Sequence, residues 1–354
     1  MSRRKITIGQ AGSWVIACAL FFALLLLVIS NPALSIALHY PFQQAATHYG
    51  QQKNLMAQVP YVPKDELEKA LLGASMANNT LMITTVNKAY ADKGSMLDLF
   101  LESLRQGEDT QHLTQHLLVV ALDISAFNRC REIGLHCYKL VTDDVDFSGE
   151  KLYMTQDYLD MMWRRTLFLG QVLKRNYSFV FTDTDVMWLR NPFHQFSQED
   201  DIQISCDRFN GKPHDLSNLL NTGFYHVRSN NRTVKLYDLW YESKSSANFT
   251  GLKDQDVLEH LKFTEIFREL GLKIRVLDTL YFSGFCEKSR DLRIVNTMHA
   301  NCCKSLKAKL LDLRTVLMDW KRHRISVTDG SNWNSSFNGW SESIMCIKSW
   351  FEKR

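Results

Sequence analysis

The stretch Phe179-Val-Phe-Thr-Asp183-Thr-Asp185-Val-Met-Trp188 joins an apolar run to two carboxylates spaced by one residue. Residues 179–182 are aromatic and β-branched, which predicts a buried strand. In extended geometry Asp183 and Asp185 then point to the same side. There they can clamp one cation at the carboxyl edge of a sheet, the edge where open α/β folds bind ligands. Asp-x-Asp also occurs in solvated turns, but its place between two apolar runs favours burial beside a ligand.

Working outward, strands and helices alternate. Upstream, the pattern predicts strands over 81–86, 117–122 and 137–141, and helices over 64–76, 95–105, 125–133 and 155–175. The run Leu-Leu-Val-Val-Ala-Leu at 117–122 is continuous, as a central parallel strand buried on both faces should be. Strand and helix at these intervals predict an α/β fold, a doubly wound mixed sheet flanked by helices.

The amino terminus reads differently. Residues 12–30 carry no charge over 19 positions, a helix of about 28 Å, close to the roughly 30 Å of a bilayer core. Arg3, Arg4 and Lys5 precede it, which predicts one transmembrane signal anchor with the rest of the chain in a lumen. The expected organisation is a cytosolic tail at 1–11, the anchor at 12–30, a stem at 31–75, a catalytic domain at 76–325 and a tail at 326–354. Sequons at Asn78, Asn176, Asn231, Asn248 and Asn334 agree with a lumenal domain. Of the cysteines beyond the anchor, Cys130 and Cys137 can pair locally. Cys206, Cys286, Cys302, Cys303 and Cys346 admit many connectivities and leave one thiol over. Lys+Arg 42 against Asp+Glu 38 gives a net charge of +4, too weak a field for a nucleic-acid binder.

The motif at 179–188 resembles a known family once its neighbours are read with it. GEKLYMTQDYLDMMWRRT (149–166), RNPF (190–193), CDRF (206–209), LNTGFYHVRSNNRT (220–233), KDQDVL (253–258), GLKIRVLDTLYFSGFC (271–286) and TMHANCC (297–303) follow in order. Together they resemble the plant nucleotide-diphospho-sugar transferases, which include arabinosyl- and xylosyltransferases of cell-wall polymers and wall glycoproteins. The resemblance covers about residues 81–320. It implies a GT-A-type glycosyltransferase fold, type II topology in the Golgi membrane, and a metal-dependent, retaining reaction. A UDP-sugar, with a pentose favoured, would be the donor and a glycan or glycoprotein the acceptor. Golgi enzymes of this kind also form homo- or hetero-oligomers.

The same resemblance suggests roles. Asp185 would be the direct metal ligand, Asp183 would share the metal or hold the donor ribose, and His299 would complete the site. Imidazole beside hard oxygens favours Mn²⁺, with Mg²⁺ as the alternative. Zinc at His299, Cys302 and Cys303 lacks the further cysteine pair that a tetrahedral site needs. Gln255 would lie under the anomeric carbon. Asp254 would either cap a helix or meet donor or acceptor hydroxyls, with Asp256 beside it in the helix dipole. Asn221 and Gly223 read either as a turn before a strand at 224–227 or as a close backbone approach to the sugar. Arg165 is either a solvated helix arginine or a reach to the donor, and Thr84 marks the expected base contact. A catalytically idle scaffold subunit is the rival reading, disfavoured by the intact Asp183, Asp185, Gln255 and His299.

Overall fold

The computed structural model describes residues 63–140, 147, 149–151, 154–328 and 339–351. These fall in one compact unit, Pro63–Arg354. The anchor, most of the stem and Asn334 lie outside the described residues. Among the described residues no helix is long and apolar enough to cross a membrane.

The chain opens with α1 (Glu66–Ala74), β1 (Thr80–Val86), α2 (Lys88–Ala91), α3 (Met96–Gln106), β2 (Leu117–Ala121), α4 (Ile124–Ile133) and β3 (His136–Lys139). Then follow α5 (Gln156–Lys174), β4 (Ser178–Thr182), β5 (Val186–Trp188), β6 (Ile202–Cys206), β7 (Leu220–Val227) and α6 (Asn231–Glu242). The last elements are α7 (Asp254–Leu261), α8 (Glu265–Leu270), β8 (Ile274–Val276), β9 (Phe282–Gly284), β10 (Thr297–His299), α9 (Leu306–Thr328) and α10 (Ile344–Lys348).

The main sheet has seven strands in the order β3-β2-β1-β4-β7-β6-β8. Strands β3, β2, β1 and β4 run parallel, β7 is antiparallel to both β4 and β6, and β8 is parallel to β6. The fold is thus a mixed α/β sheet with helices on both faces. Side-chain alternation divides the core: Phe179 and Phe181 of β4 pack with α5, α6 and α7, while Val180 packs toward α3 and α9. Local signals set the helix ends. Asp123 accepts from Ala126 N at 2.9 Å, and Gly134 closes α4 with φ 82.

A second sheet, β5-β10-β9, positions the site. After β4 the chain leaves the main sheet, and β5 pairs antiparallel with β10 in the register His299↔Val186. Ala300 N donates to Asp185 O at 3.0 Å, locking that register beside the carboxylates. Helix α9 runs across the expected boundary at 325, and the segment after it returns to the domain. Asp312 accepts from Cys346 N at 2.7 Å, Asp319 accepts from Ser341 N at 2.8 Å, and Cys346 is disulfide-bonded to Cys303. Helix α1, inside the expected stem, buries Leu67, Leu71 and Ala74 in the core.

Disulfides also join Cys130 to Cys137 and Cys286 to Cys302, leaving Cys206 as a buried free thiol. Cys302 and Cys303 therefore offer no thiolate to zinc. Asn78, Asn176, Asn231 and Asn248 are all exposed.

Candidate active site

Asp183, Asp185 and His299 offer ligand atoms that lie within 4.8 Å of one another. Their convergence follows from the fold: β4 ends at Thr182, the next residues turn into β5, and β10 brings His299 alongside. His299 Nε2 lies 3.4 Å from Asp185 Oδ1, and Lys309 of α9 places its Nζ 2.8 Å from Asp185 Oδ2. That approach is an ion pair whose angles fall short of a hydrogen bond, so the buried Oδ2 keeps acceptor capacity. Burial alone would raise the Asp185 carboxyl, but Lys309 and then His299 outweigh it and hold it far below the usual carboxylate range. Asp183 moves the other way: burial raises it, Arg165 opposes, and the charge on Asp185 adds to the rise.

Gly223 is a strand residue, not a turn. A Cβ there would meet His299 Cε1 at 2.4 Å and Asp183 Oδ2 at 2.9 Å, so the missing side chain is what lets the ligand set close up. Two carboxylates and one imidazole, with an under-used buried oxygen and room made by a glycine, fit a divalent cation bound through hard donors.

Arg165 is buried, contrary to the solvated-helix reading. Its guanidinium donates to Asp254 Oδ2 at 2.7 Å, Thr222 Oγ1 at 3.2 Å and Asp183 Oδ1 at 3.3 Å, with the Phe181 ring 4.9 Å away. Asp254 does not cap α7; Lys253 holds the N-cap position and makes no side-chain cap bond. The carboxylate of Asp254 instead accepts from Arg165, from Thr166 Oγ1 at 3.1 Å and from Gln255 N at 2.8 Å. It fixes the start of α7 and with it Gln255, whose Oε1 accepts from Thr222 N at 3.1 Å and Thr222 Oγ1 at 3.3 Å.

Asp183, Arg165, Asn221, Gly223, Asp254, Gln255, His299 and Lys309 line one cavity of about 230 Å³. A smaller one of about 110 Å³ adjoins it, sharing Asp183 and Arg165 and reaching Asp185, Thr85 and Asn87. Thr84, on the opposite face of β1, is fully buried and lines neither. Asp256 also lies off the cavities and pairs with Lys253 at 3.8 Å. Asn221 is engaged at both ends, accepting from Gly223 N at 2.9 Å and donating to Asp207 Oδ1 at 2.8 Å.

Sequence reasoning missed four cavity residues. Asp207 and Asn301, joined by an Asn301 Nδ2 to Asp207 Oδ1 bond of 2.9 Å, sit inside quoted motifs but had no separate chemical signal. Lys309 is one of several lysines on an amphipathic helix. Trp350 comes from the far end of the chain. A larger hollow of about 710 Å³ near Phe263, Arg268 and Lys273, at the β8 edge, lies away from this cluster.

An apolar strand ending in carboxylates, met by a histidine from a second sheet, is the site of a transferase of nucleotide-activated sugars. The chain belongs to the nucleotide-diphospho-sugar transferase family, whose profile matches residues 112–313. An uncharacterized Arabidopsis thaliana protein is 45% identical over 346 residues, covering 96% of this chain and 95% of its own. The UDP-galactose:fucoside alpha-3-galactosyltransferase of Dictyostelium discoideum is 25% identical over 171 residues, covering 39% of this chain and 25% of its own. Among solved structures, mouse xyloside xylosyltransferase 1 overlays with a TM-score of 0.39 at 17% identity, over 63% of this chain and 98% of that one. That overlay is too loose to bear on detail.

Proposed function

We propose that the protein is a metal-dependent, retaining glycosyltransferase that moves a sugar, with a pentose favoured, from a UDP-sugar to a cell-wall glycan or glycoprotein. The gathering of Asp183, Asp185, His299 and Gln255 around connected cavities carries this reading. A divalent cation, Mn²⁺ in our reading with Mg²⁺ as the alternative, would be held by Asp183, Asp185 and His299 and would neutralise charge on the donor diphosphate.

The remaining chemistry falls to the chain. Lys309 places a fixed positive charge beside Asp185, where a diphosphate would gain from it as charge develops on the leaving group. Gln255 is held by Thr222 and by the start of α7, so its amide faces the cavity in one orientation. A neutral amide stabilises a developing positive centre without trapping the sugar. No carboxylate is then needed on that face, and the leaving phosphate oxygen takes the acceptor proton, giving retention. Asp207, steadied by Asn221 and Asn301, is placed to bind a sugar hydroxyl.

We place the enzyme in the Golgi membrane, anchored by residues 12–30 with its domain lumenal. Four exposed sequons and three disulfides support an oxidising, glycosylating compartment. The test of the reaction is a panel of UDP-sugars offered to the purified full-length protein with Mn²⁺, reading the anomeric configuration of any product by NMR coupling. An α-linked donor should give an α-linked product; a β-linked product overturns retention.

A further inference from the structure

This inference deepens the transferase reading of the same site and rests on it. An acceptor must reach Gln255 and Asp183 from outside, so the residues at the cavity mouth select it. One wall of that mouth comes from the last described residues of the chain. Trp350 lines the 230 Å³ cavity and also a neighbouring groove of about 460 Å³ formed with Phe285, Cys302, Ile347 and Phe351. Cys302 and Trp350 belong to both, so the groove continues the cavity outward. Its volume lies within the roughly 300–1,000 Å³ of ordinary ligand sites.

Trp350 is held firmly for a residue so near the end of the chain. Its Nε1 donates to Cys302 O at 2.7 Å, and Lys304 Nζ lies 4.0 Å from the ring centroid. The Cys303–Cys346 and Cys286–Cys302 disulfides pin both sides of this contact. Yet Trp350 stays 48% exposed and Phe351 82% exposed. Large aromatics gain from burial, and a fixed, exposed pair continuous with a reaction cavity marks a contact surface. Lys288 and Glu342 border the groove. Apolar rings edged by charged groups match a sugar ring, whose C–H face is apolar and whose rim carries hydroxyls. An apolar peptide side chain would leave that charged rim without partners.

We propose that Trp350 and this groove form an acceptor subsite that takes a sugar ring of an oligosaccharide, next to the unit that receives the transferred sugar. Donor choice is then made in the inner cavity, and acceptor length is read by the chain's carboxyl-terminal segment.

The test is saturation-transfer NMR on the full-length protein with UDP and Mn²⁺, using xylotriose, galactotriose and arabinotriose as probes. At least one trisaccharide should bind. Trp350→Ala should weaken its binding about tenfold, whereas Trp350→Phe, which keeps a ring, should retain most of it. Calorimetric titration of UDP in the same samples reports whether the donor site is folded. Trisaccharide binding unchanged by Trp350→Ala overturns the proposal, as does binding of an apolar peptide with none of the three sugars. Failure of UDP itself to bind the wild type would bring down the transferase reading instead. UDP binding without any trisaccharide would bring down the subsite alone.

Discussion

Arg165 Nη2 lies 2.7 Å from Asp254 Oδ2, with both side chains almost wholly buried. This pair ties α5, the helix before the carboxylate strand, to the first residue of the helix that carries Gln255. Removing one partner strands a buried charge, whereas removing both does not. Arg165→Met should therefore cost about 3–5 kcal/mol in denaturant unfolding. The double variant Arg165→Met, Asp254→Leu should recover much of that loss. A single variant as stable as wild type would show that the pair does not hold the site together.

Gly223 makes a separate prediction, because its backbone is ordinary strand and only space is at stake. Gly223→Ala should fold, yet its methyl group would displace His299 and crowd Asp183. Mn²⁺ affinity should drop by about tenfold or more, the scale seen when a ligand's support is disturbed. Calorimetry or the electron paramagnetic resonance of bound Mn²⁺ checks it; unchanged affinity would remove His299 from the ligand set.

Lys309 competes with any cation for Asp185 while offering charge to a diphosphate. Lys309→Met should tighten Mn²⁺ binding measured without nucleotide, yet slow turnover on the order of a hundredfold. If both metal affinity and turnover stayed at wild-type values, Lys309 would have no part in the reaction.

Acid stability should depend on a residue outside the site. His226 on β7 stacks on Phe196 with centroids 5.0 Å apart, and its Nδ1 lies 3.3 Å from Gln203 Nε2. Burial, with a smaller push from Arg228, lowers its pKa from 6.5 to about 4. Between those values the unfolded chain binds a proton that the folded chain refuses. Stability must then fall as pH falls through that window, by roughly 3 kcal/mol at most. Urea midpoints at neutral and acid pH should differ less in His226→Gln than in wild type. An equal acid loss in both proteins would rule His226 out as the source.

Much of the fold was legible in the sequence because the upstream elements announce themselves locally. The continuous run at 117–122, the capped helix after Asp123 and the apolar stripe of α5 each carry their own period and punctuation. The turn expected at Asn221–Gly223 failed because a glycine in a strand, placed there for close approach, looks the same as a turn glycine. Arg165 was ambiguous for a related reason: its partners lie far along the chain at Thr222 and Asp254, and helical periodicity does not register them. Asp183, Asp185 and His299 do meet, but the register that joins them, His299↔Val186, belongs to a second sheet with three-residue strands too short to read from a pattern. Lys309 and Trp350 come from elements with no chemical signature, and only folding brings them to the cavity.

The central claim is that Asp183, Asp185 and His299 hold a cation that helps bind a nucleotide diphosphate. Its most direct test is calorimetric titration of UDP into the full-length protein with Mn²⁺, repeated after chelation and in Asp185→Asn. The account predicts saturable binding with Mn²⁺ that is lost on chelation and in the variant, while the thermal unfolding of the variant stays cooperative. UDP binding of equal affinity with and without the metal, in both wild type and Asp185→Asn, would contradict it.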